Sequence, residues 1–393
     1  MGFANNQQIE QGETGFTYLG GDVTCGGCPH DVHVSAFVRH DGEPGTCSFC
    51  GRSATVLDLH RLFVEMGKRI RPEFLPSSIS PEVPGREWEI DALSASSVEL
   101  LDMLDLPLGE GALADAFVGA FENDWIAVGV WAGTPEEWLS EGWDRFVQVV
   151  KRESRFVFLH PATAAPPYRS ADIDPTQMLD RLGDALKRCG AIIPFPAGQP
   201  IFRARKHAPS EVLTTPEDLG SPNADIAGAQ RMSPPGIPFF YSACEERTAL
   251  AEVRGIDGEC ATDAQWVTDR ETHIVDLARL AEVPSIFDLS RAALRPELRF
   301  LRRFAQEISK PIRAHDNPAV DYVPTQIVAE YIRRCVKTDF DEPVEGIMYP
   351  SAVVSGGTNL AFFEGPTGQV PLRLVGPIRR FVAGAMRTDW SLL

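Results

Sequence analysis

Between about residue 56 and residue 190, apolar side chains recur every three or four positions, the spacing that turns one face of a helix toward a core. Leu59, Leu62, Phe63, Met66 and Ile70 form one such face, with Ser53 or Thr55 expected to cap its start. A second helix is expected over Val98 to Leu104, stopping near Pro107. Thr134-Pro135-Glu136-Glu137 has the layout of a capping box with proline in the first turn, and Leu139, Trp143, Phe146 and Val150 then repeat down one side. A fourth helix is expected to open at Asp174-Pro175, to bury Leu179, Leu182 and Leu186, and to stop at Gly190. The aromatic residues of this stretch read as core. One short apolar run inside it, Arg155 to Leu159, reads as a strand.

From Ala191 the pattern changes to short apolar runs bounded by proline and glycine, which marks a sheet-bearing domain. Strands are expected at Ile201 to Arg205, Pro238 to Tyr241, His273 to Leu277, Gly346 to Tyr349 and Asn359 to Phe363. Helices are expected at Ser242 to Val253, Pro296 to Ile308 and Pro324 to Arg334. The segment from Gly255 to Tyr322 reads as a lid or a packed insertion. The expected class is α+β in three parts: a tail and cysteine-rich module over 1–55, a mostly helical domain over 56–190 and a sheet-bearing domain over 191–393. Residues 1 to 20 read as a frayed tail.

Composition narrows the function. A chain of 393 residues, 44% hydrophobic, exceeds one ordinary core. Its formal net charge of −18, from 37 basic and 55 acidic side chains, repels phosphate backbones and anionic lipid, so nucleic acid is a disfavoured partner. No lysine or arginine precedes Arg39, no apolar run approaches the ~20 residues that span a bilayer, and Asn6 stands where myristoylation needs serine or threonine. A soluble cytoplasmic protein without a membrane partner is the expectation.

Cys25-Gly26-Gly27-Cys28 and Cys47-Ser48-Phe49-Cys50 are two C-x2-C knuckles separated by 18 residues, the spacing of a zinc ribbon. Four thiolates close a tetrahedral site with no open position, so the expected zinc is structural. His30 and His33 lie outside that set. Cys189, Cys244, Cys260 and Cys335 are scattered singly and read as core residues.

Chemistry concentrates in the C-terminal part. Arg203 and Arg205 stand on a short strand and are read as pointing to opposite faces, so that only one reaches a cleft. Arg231-Met232-Ser233-Pro234-Pro235-Gly236-Ile237-Pro238 leads by a rigid turn into a strand ending at Tyr241. Glu252 follows on a helix, within the small and apolar run Thr248 to Val253, where a carboxylate is either a surface group or one held at a cleft for charge work.

These segments resemble the RES family, named for an arginine, a glutamate and a serine. Ile201-Phe202-Arg203-Ala204-Arg205 looks like its arginine motif; Pro234 to Tyr241 followed by Thr248 to Val253 looks like its tyrosine and glutamate motif; Tyr349-Pro350-Ser351 looks like its serine motif. Ser355-Gly356-Gly357-Thr358-Asn359-Leu360-Ala361-Phe362-Phe363 is similar to its closing segment, and the resemblance covers about 200 residues in order. It implies an ADP-ribosyltransferase-like split β-sandwich that grips NAD between two small sheets, and an enzyme that cleaves the nicotinamide–ribose bond as a growth-arrest toxin or defence effector. It further implies Glu252, Arg203, Tyr241 and Ser351 as catalytic residues. Arg203, Arg231, Tyr241, Ser351 and Asn359 are implied to contact NAD. Glu252 would stabilise the oxocarbenium-like ribose and Arg203 would clamp the pyrophosphate. Arginine-modifying relatives carry a second glutamate two residues before the catalytic one, where this chain has Leu250, which favours water or phosphate as the acceptor.

The knuckles and helical run are similar to the HEPN/RES N-terminal arrangement. Arg155 and His160 have the spacing of the HEPN ribonuclease motif, but the residues between them are apolar and disfavour that activity. Candidate partners are NAD, an antitoxin or regulatory protein, and a second copy of the chain. The alternatives are transfer of ADP-ribose to a macromolecule, and a non-catalytic zinc-ribbon interaction module that binds a nucleotide.

Overall fold

A computed structural model describes residues 15–18, 20–76, 94–109, 111–121, 124–128, 134–157, 173–253, 259–310, 317–363, 372–383 and 390–392. The chain falls into two units. The first takes residues 1–138, 169–171 and 282–296; the second takes 139–168, 172–281 and 297–393.

In the first unit Val23–Cys25 (β1), Glu43–Thr46 (β2) and Ser53–Asp58 (β3) form an antiparallel sheet in the order β1-β3-β2. Between β1 and β2 runs Val32–Asp41 (α1), whose Asp31 cap accepts from the backbone N–H groups of His33 and Val34 at 2.8 Å. Leu59–Ile70 (α2) follows β3 directly, and its cap is Asp58, which accepts from the Arg61 N–H at 3.0 Å. The expected caps Ser53 and Thr55 are instead extended residues of β3, because the strand runs to the helix with no intervening turn. Phe74–Pro76 (β4) pairs with Trp125–Ala127 (β5), and between them lie Ser97–Met103 (α3), opened by a Ser96–Glu99 capping box, and Ala112–Ala120 (α4). The apolar face anticipated for α2 is buried whole, against Phe16, Leu100, Phe117, Phe121 and Trp125. Ile286 and Phe287, far along the chain, complete the same core.

Pro135–Gln148 (α5) opens with the anticipated box: Glu137 Oε2 accepts from the Thr134 N–H at 2.7 Å, and Thr134 Oγ1 accepts from the Glu137 N–H at 3.2 Å. Met178–Arg188 (α6) ends in Gly190 at φ +66°, a left-handed position that glycine adopts without a Cβ clash. The strand expected at Arg155 to Leu159 is absent over its described part. A π-helical turn covers Val149–Glu153, Arg155 and Phe156 lie in a bend with Phe156 90% exposed, and Phe158, Leu159 and His160 fall outside the described residues.

The remaining elements of the second unit are Ile192–Phe195 (β6), Ile201–His207 (β7), Pro216–Leu219 (α7), Phe240–Ala243 (β8), Glu246–Val253 (α8), Cys260–Thr268 (β9) and Thr272–Asp276 (β10). After them come Arg295–Ser309 (α9, whose first two residues belong to the first unit), Pro318–Asp321 (α10), Val323–Cys335 (α11), Gly346–Pro350 (β11), Thr358–Phe362 (β12), Leu372–Leu374 (β13), Arg379–Ala383 (β14) and Trp390–Leu392 (β15). Ten strands form one sheet in the order β15-β14-β9-β7-β8-β12-β11-β10-β6, with β13 on β9, and only β10 and β11 pair in parallel. The ladder between β7 and β9 runs from Ile201↔Trp266 to His207↔Cys260, whereas β7 meets β8 at the single pair Phe202↔Ala243. The sheet is therefore split in two at that junction, within the α+β class the sequence implied.

One face of the sheet carries Val275, Ile347 and Ala361 into a core with Phe146, Leu182, Phe304 and Ile332 from the helices. The other buries Phe240, Trp266, Ile274, Met348 and Leu360. Two expectations need correction. Within the segment from Gly255 to Tyr322, Cys260–Thr268 is neither lid nor insertion but β9, the middle strand of its half-sheet. The helix expected from Ser242 begins only at Glu246, because Ser242 and Ala243 stay in β8, paired with Leu360 and Asn359.

Candidate functional site

At the split, β7, β8, β11, β12 and α8 converge on a cleft of about 460 Å³. Its lining includes Arg203 from β7, Arg231, Tyr241 from β8, Glu252 from α8, Tyr349 from β11 and Asn359 from β12. Five of the six site residues expected from the C-terminal motifs thus share one cleft. The sixth, Ser351, is hydrogen-bonded to Glu252.

Glu252 is fixed by its neighbours. Its Oε1 accepts from the Ser351 hydroxyl and from the Asn359 side-chain amide, each at 2.7 Å. Oε2 has no hydrogen-bond partner among the described residues. Local sequence builds this arrangement. Ser351 directly follows β11 and its hydroxyl also accepts from the N–H groups of Val353 (3.1 Å) and Val354 (3.0 Å), which folds the turn into β12. In that turn Gly356 sits at φ +74°, and a Cβ on Gly357 would lie 2.6 Å from Thr248 Oγ1 on α8. Glycine there lets α8 approach the hairpin closely enough for Glu252 to reach both donors.

Arg203 is locked to main chain. Its Nε donates to Leu219 O (2.8 Å), Nη2 to Gly220 O (3.0 Å) and Nη1 to Tyr241 O (2.5 Å), and the guanidinium lies 4.9 Å from the Phe240 ring centre. Burial, with the Arg205 charge nearby, pushes its pKa down to about 10, so it stays cationic at neutral pH. Arg205 donates to Asp218 O at 2.6 Å, on the same segment that Arg203 binds. The reading of these two arginines as pointing to opposite faces was wrong: residues two apart on a strand share a face.

Arg231 donates to Ile308 O at 2.6 Å and lies 5.6 Å from the Tyr322 ring centre. The Tyr241 hydroxyl accepts from the Met232 N–H at 3.1 Å and pairs with Ser233 Oγ at 3.0 Å; burial pushes its pKa up to about 12. Sequence reading missed Tyr349 and Tyr322 as lining residues. Tyr349 directly precedes the serine-motif Pro350-Ser351, and that adjacency was the available signal. Tyr322 carried none.

Cys25, Cys28, Cys47 and Cys50 come together in the first unit, their sulfurs all within 4.8 Å of one another. The Cys25–Cys28 separation is 3.8 Å, and Cys25–Cys50 and Cys28–Cys47 are each 3.6 Å. A tetrahedral zinc with ~2.3 Å bonds to sulfur sets edges of about 3.8 Å, so the residues fit such an ion. Burial works against a Cys47 thiolate, but backbone N–H groups of Cys50, Phe49 and Cys25 outweigh it and bring the pKa down to about 6, toward the form that binds metal. Among the described residues no helix is long and apolar enough to cross a membrane.

Two models of known families match the chain. Residues 200–382 match the model of the RES domain, and residues 40–164 match that of HEPN/RES N-terminal domain 1. The chain thus carries a region similar to the RES domain, preceded by one similar to a HEPN/RES-type N-terminal domain. No curated protein and no solved structure matches it.

Proposed function

We propose that the cleft binds NAD and that Glu252 promotes rupture of the nicotinamide–ribose bond. The match of residues 200–382 to the RES domain supports an NAD-related role of the toxin type in general. The observation that carries the finer reading is a cleft carboxylate gripped through one oxygen by two neutral donors.

The bond between ribose C1′ and the pyridinium nitrogen breaks with both electrons going to nitrogen, so nicotinamide leaves neutral and the ribose becomes an oxocarbenium ion. Glu252 Oε2 faces that cation as counter-charge while Ser351 and Asn359 hold the carboxylate still. Water then adds its oxygen to C1′ and releases a proton, giving ADP-ribose. Phosphate in its place gives the ribosyl phosphate. Arg203 has five N–H donors, of which three serve backbone carbonyls, so two remain for a phosphate oxygen. Arg231 is the second cation at the cleft wall. In the first unit, Cys25, Cys28, Cys47 and Cys50 would hold a structural zinc. A zinc there supplies cross-linking in place of core and takes no part in the reaction.

The test is to incubate the purified chain with NAD, with and without phosphate, and to follow nicotinamide and the ribosyl product by chromatography beside Glu252→Gln. Nicotinamide release that falls at least 100-fold in the variant is the expected result. No release from the unaltered chain, or equal release from the variant, would overturn the assignment. Label from NAD accumulating on protein would instead indicate transfer to a macromolecule.

A further inference from the structure

Two tyrosines stand on one face of the half-sheet β8-β12-β11, and the protein uses their hydroxyls differently. Tyr241 faces Ala361 across the ladder and its hydroxyl is tied to Met232 and Ser233. Tyr349 faces Asn359, the residue that donates to Glu252. Neighbouring strands lie ~4.8 Å apart and directly opposite side chains share a face, so Tyr349 rises beside the donor that grips the carboxylate. It is 6% exposed and lines the cleft, yet its hydroxyl has no hydrogen-bond partner among the described residues. Buried tyrosine hydroxyls ordinarily have partners. Burial first, then the proximity of Tyr241 and, opposed by Arg231, of Glu252, raises its pKa above the ordinary tyrosine range, so the group remains an O–H donor at neutral pH.

We propose that Tyr349 is a substrate-contacting residue whose hydroxyl donates to the 2′-hydroxyl of the nicotinamide ribose, which in turn donates to Glu252 Oε2. This rests on the reading of the cleft as an NAD-cleaving site. The geometry is a chain of donors ending on the carboxylate: Ser351 and Asn359 occupy Oε1, Oε2 is left for the ribose, and Tyr349 is the neighbouring donor with nothing else to serve. As positive charge develops at C1′, the 2′-hydroxyl becomes a stronger donor to Glu252, and a donor behind it fixes which way it points. No bond is made or broken by Tyr349, and its proton stays on the phenol oxygen.

The experiment compares the unaltered chain with Tyr349→Phe on two substrates, NAD and NAD lacking the 2′-hydroxyl of the nicotinamide ribose. Because the hydroxyl has no partner in the protein, the variant is expected to unfold at the same temperature as the unaltered chain. On NAD its kcat/KM for nicotinamide release is expected to fall about 10- to 100-fold, the size of one lost hydrogen bond. On the deoxy substrate the two chains are expected to agree within about threefold, since the partner of the deleted group is already gone. Equal losses on both substrates, or a lowered unfolding temperature that accounts for the loss, would overturn the contact. So would a Tyr349→Phe variant as active on NAD as the unaltered chain. An unaltered chain that releases no nicotinamide overturns the reading of the cleft itself, and this proposal with it.

Discussion

Arg295 is the first residue of α9, 1% exposed, and it belongs to the core of the first unit although it lies near residue 300. Its guanidinium joins three separate stretches: Nε pairs with Glu73, Nη1 donates to Pro284 O, and Nη2 donates to Leu104 O at 2.7 Å. Arg295→Met keeps the apolar stem and deletes every donor. Removing one partner of a buried pair costs about 3–5 kcal/mol, because the other charge is left uncompensated. Glu73 is 20% exposed, which lowers that term, but two carbonyls also lose their donors at roughly 1 kcal/mol each. The net expectation is about 3–5 kcal/mol, which for a unit of this size lowers the melting temperature on the order of 10 °C. Hydrogen exchange read by mass spectrometry should show α2 and α3 opening more often in the variant, and calorimetry should show the earlier transition. Adding Glu73→Gln should restore part of the loss, since it removes the carboxylate charge that Arg295 served. If Arg295→Met melts and exchanges like the unaltered chain, the placement of 282–296 inside the first unit's core is wrong.

Asp263 on β9 is fully buried, 3.4 Å from Arg379, and burial together with the Glu246 charge raises its carboxyl to about 7. The folded chain therefore keeps a proton that the unfolded chain releases near pH 4, so this group's contribution is full below pH 4 and is lost as pH rises to about 7. Asp263→Asn should gain roughly 2–3 kcal/mol relative to the unaltered chain between pH 5 and pH 8 in urea titrations; a gap that stays constant with pH would refute this. For the cysteine cluster, elemental analysis should find one zinc per chain, falling to none in Cys47→Ser, with hydrogen exchange rising across β1 to β3. A chain that carries no zinc and shows the same protection would remove the metal from the account.

The elements legible in the sequence are those whose environment differs between their two sides. The α2 face of Leu59, Leu62, Phe63, Met66 and Ile70 was readable because the opposite face is polar, and the cysteine knuckles because metal geometry fixes their spacing. β9 was not, since Cys260 to Thr268 is buried on nearly every residue and so lacks alternation, with Asp263 and two threonines interrupting its apolar character. Arg295 followed by Pro296 reads as an ordinary solvent-facing helix start, and only tertiary structure reveals the carboxylate and carbonyls around it. In the cleft, motif order found the carboxylate and its two donors. Tyr349 escaped because a tyrosine in an apolar strand reads as core, and what distinguishes it is the lack of a partner, which no sequence records.

The cleft's two arginines do not neutralise its carboxylate. Among the described residues Glu252 makes no ion pair: Arg203 is turned onto Leu219, Gly220 and Tyr241 carbonyls, and Arg231 onto Ile308 and the face of Tyr322. Holding a carboxylate with neutral donors fixes its direction while leaving its charge uncancelled, whereas an ion pair would fix it and spend the charge on a permanent partner. The arrangement suits a reaction in which the cation exists only at the transition state, because the attraction is then stronger at the moment of bond rupture than in the bound substrate. NAD already carries a positive pyridinium before cleavage, so a freely placed carboxylate would attract that ring as well. Gripping Oε1 from the β11–β12 hairpin leaves only Oε2 to act, at one position, and on the proposed reading of the cleft that restriction to a single oxygen would let the charge favour ribose over the pyridinium.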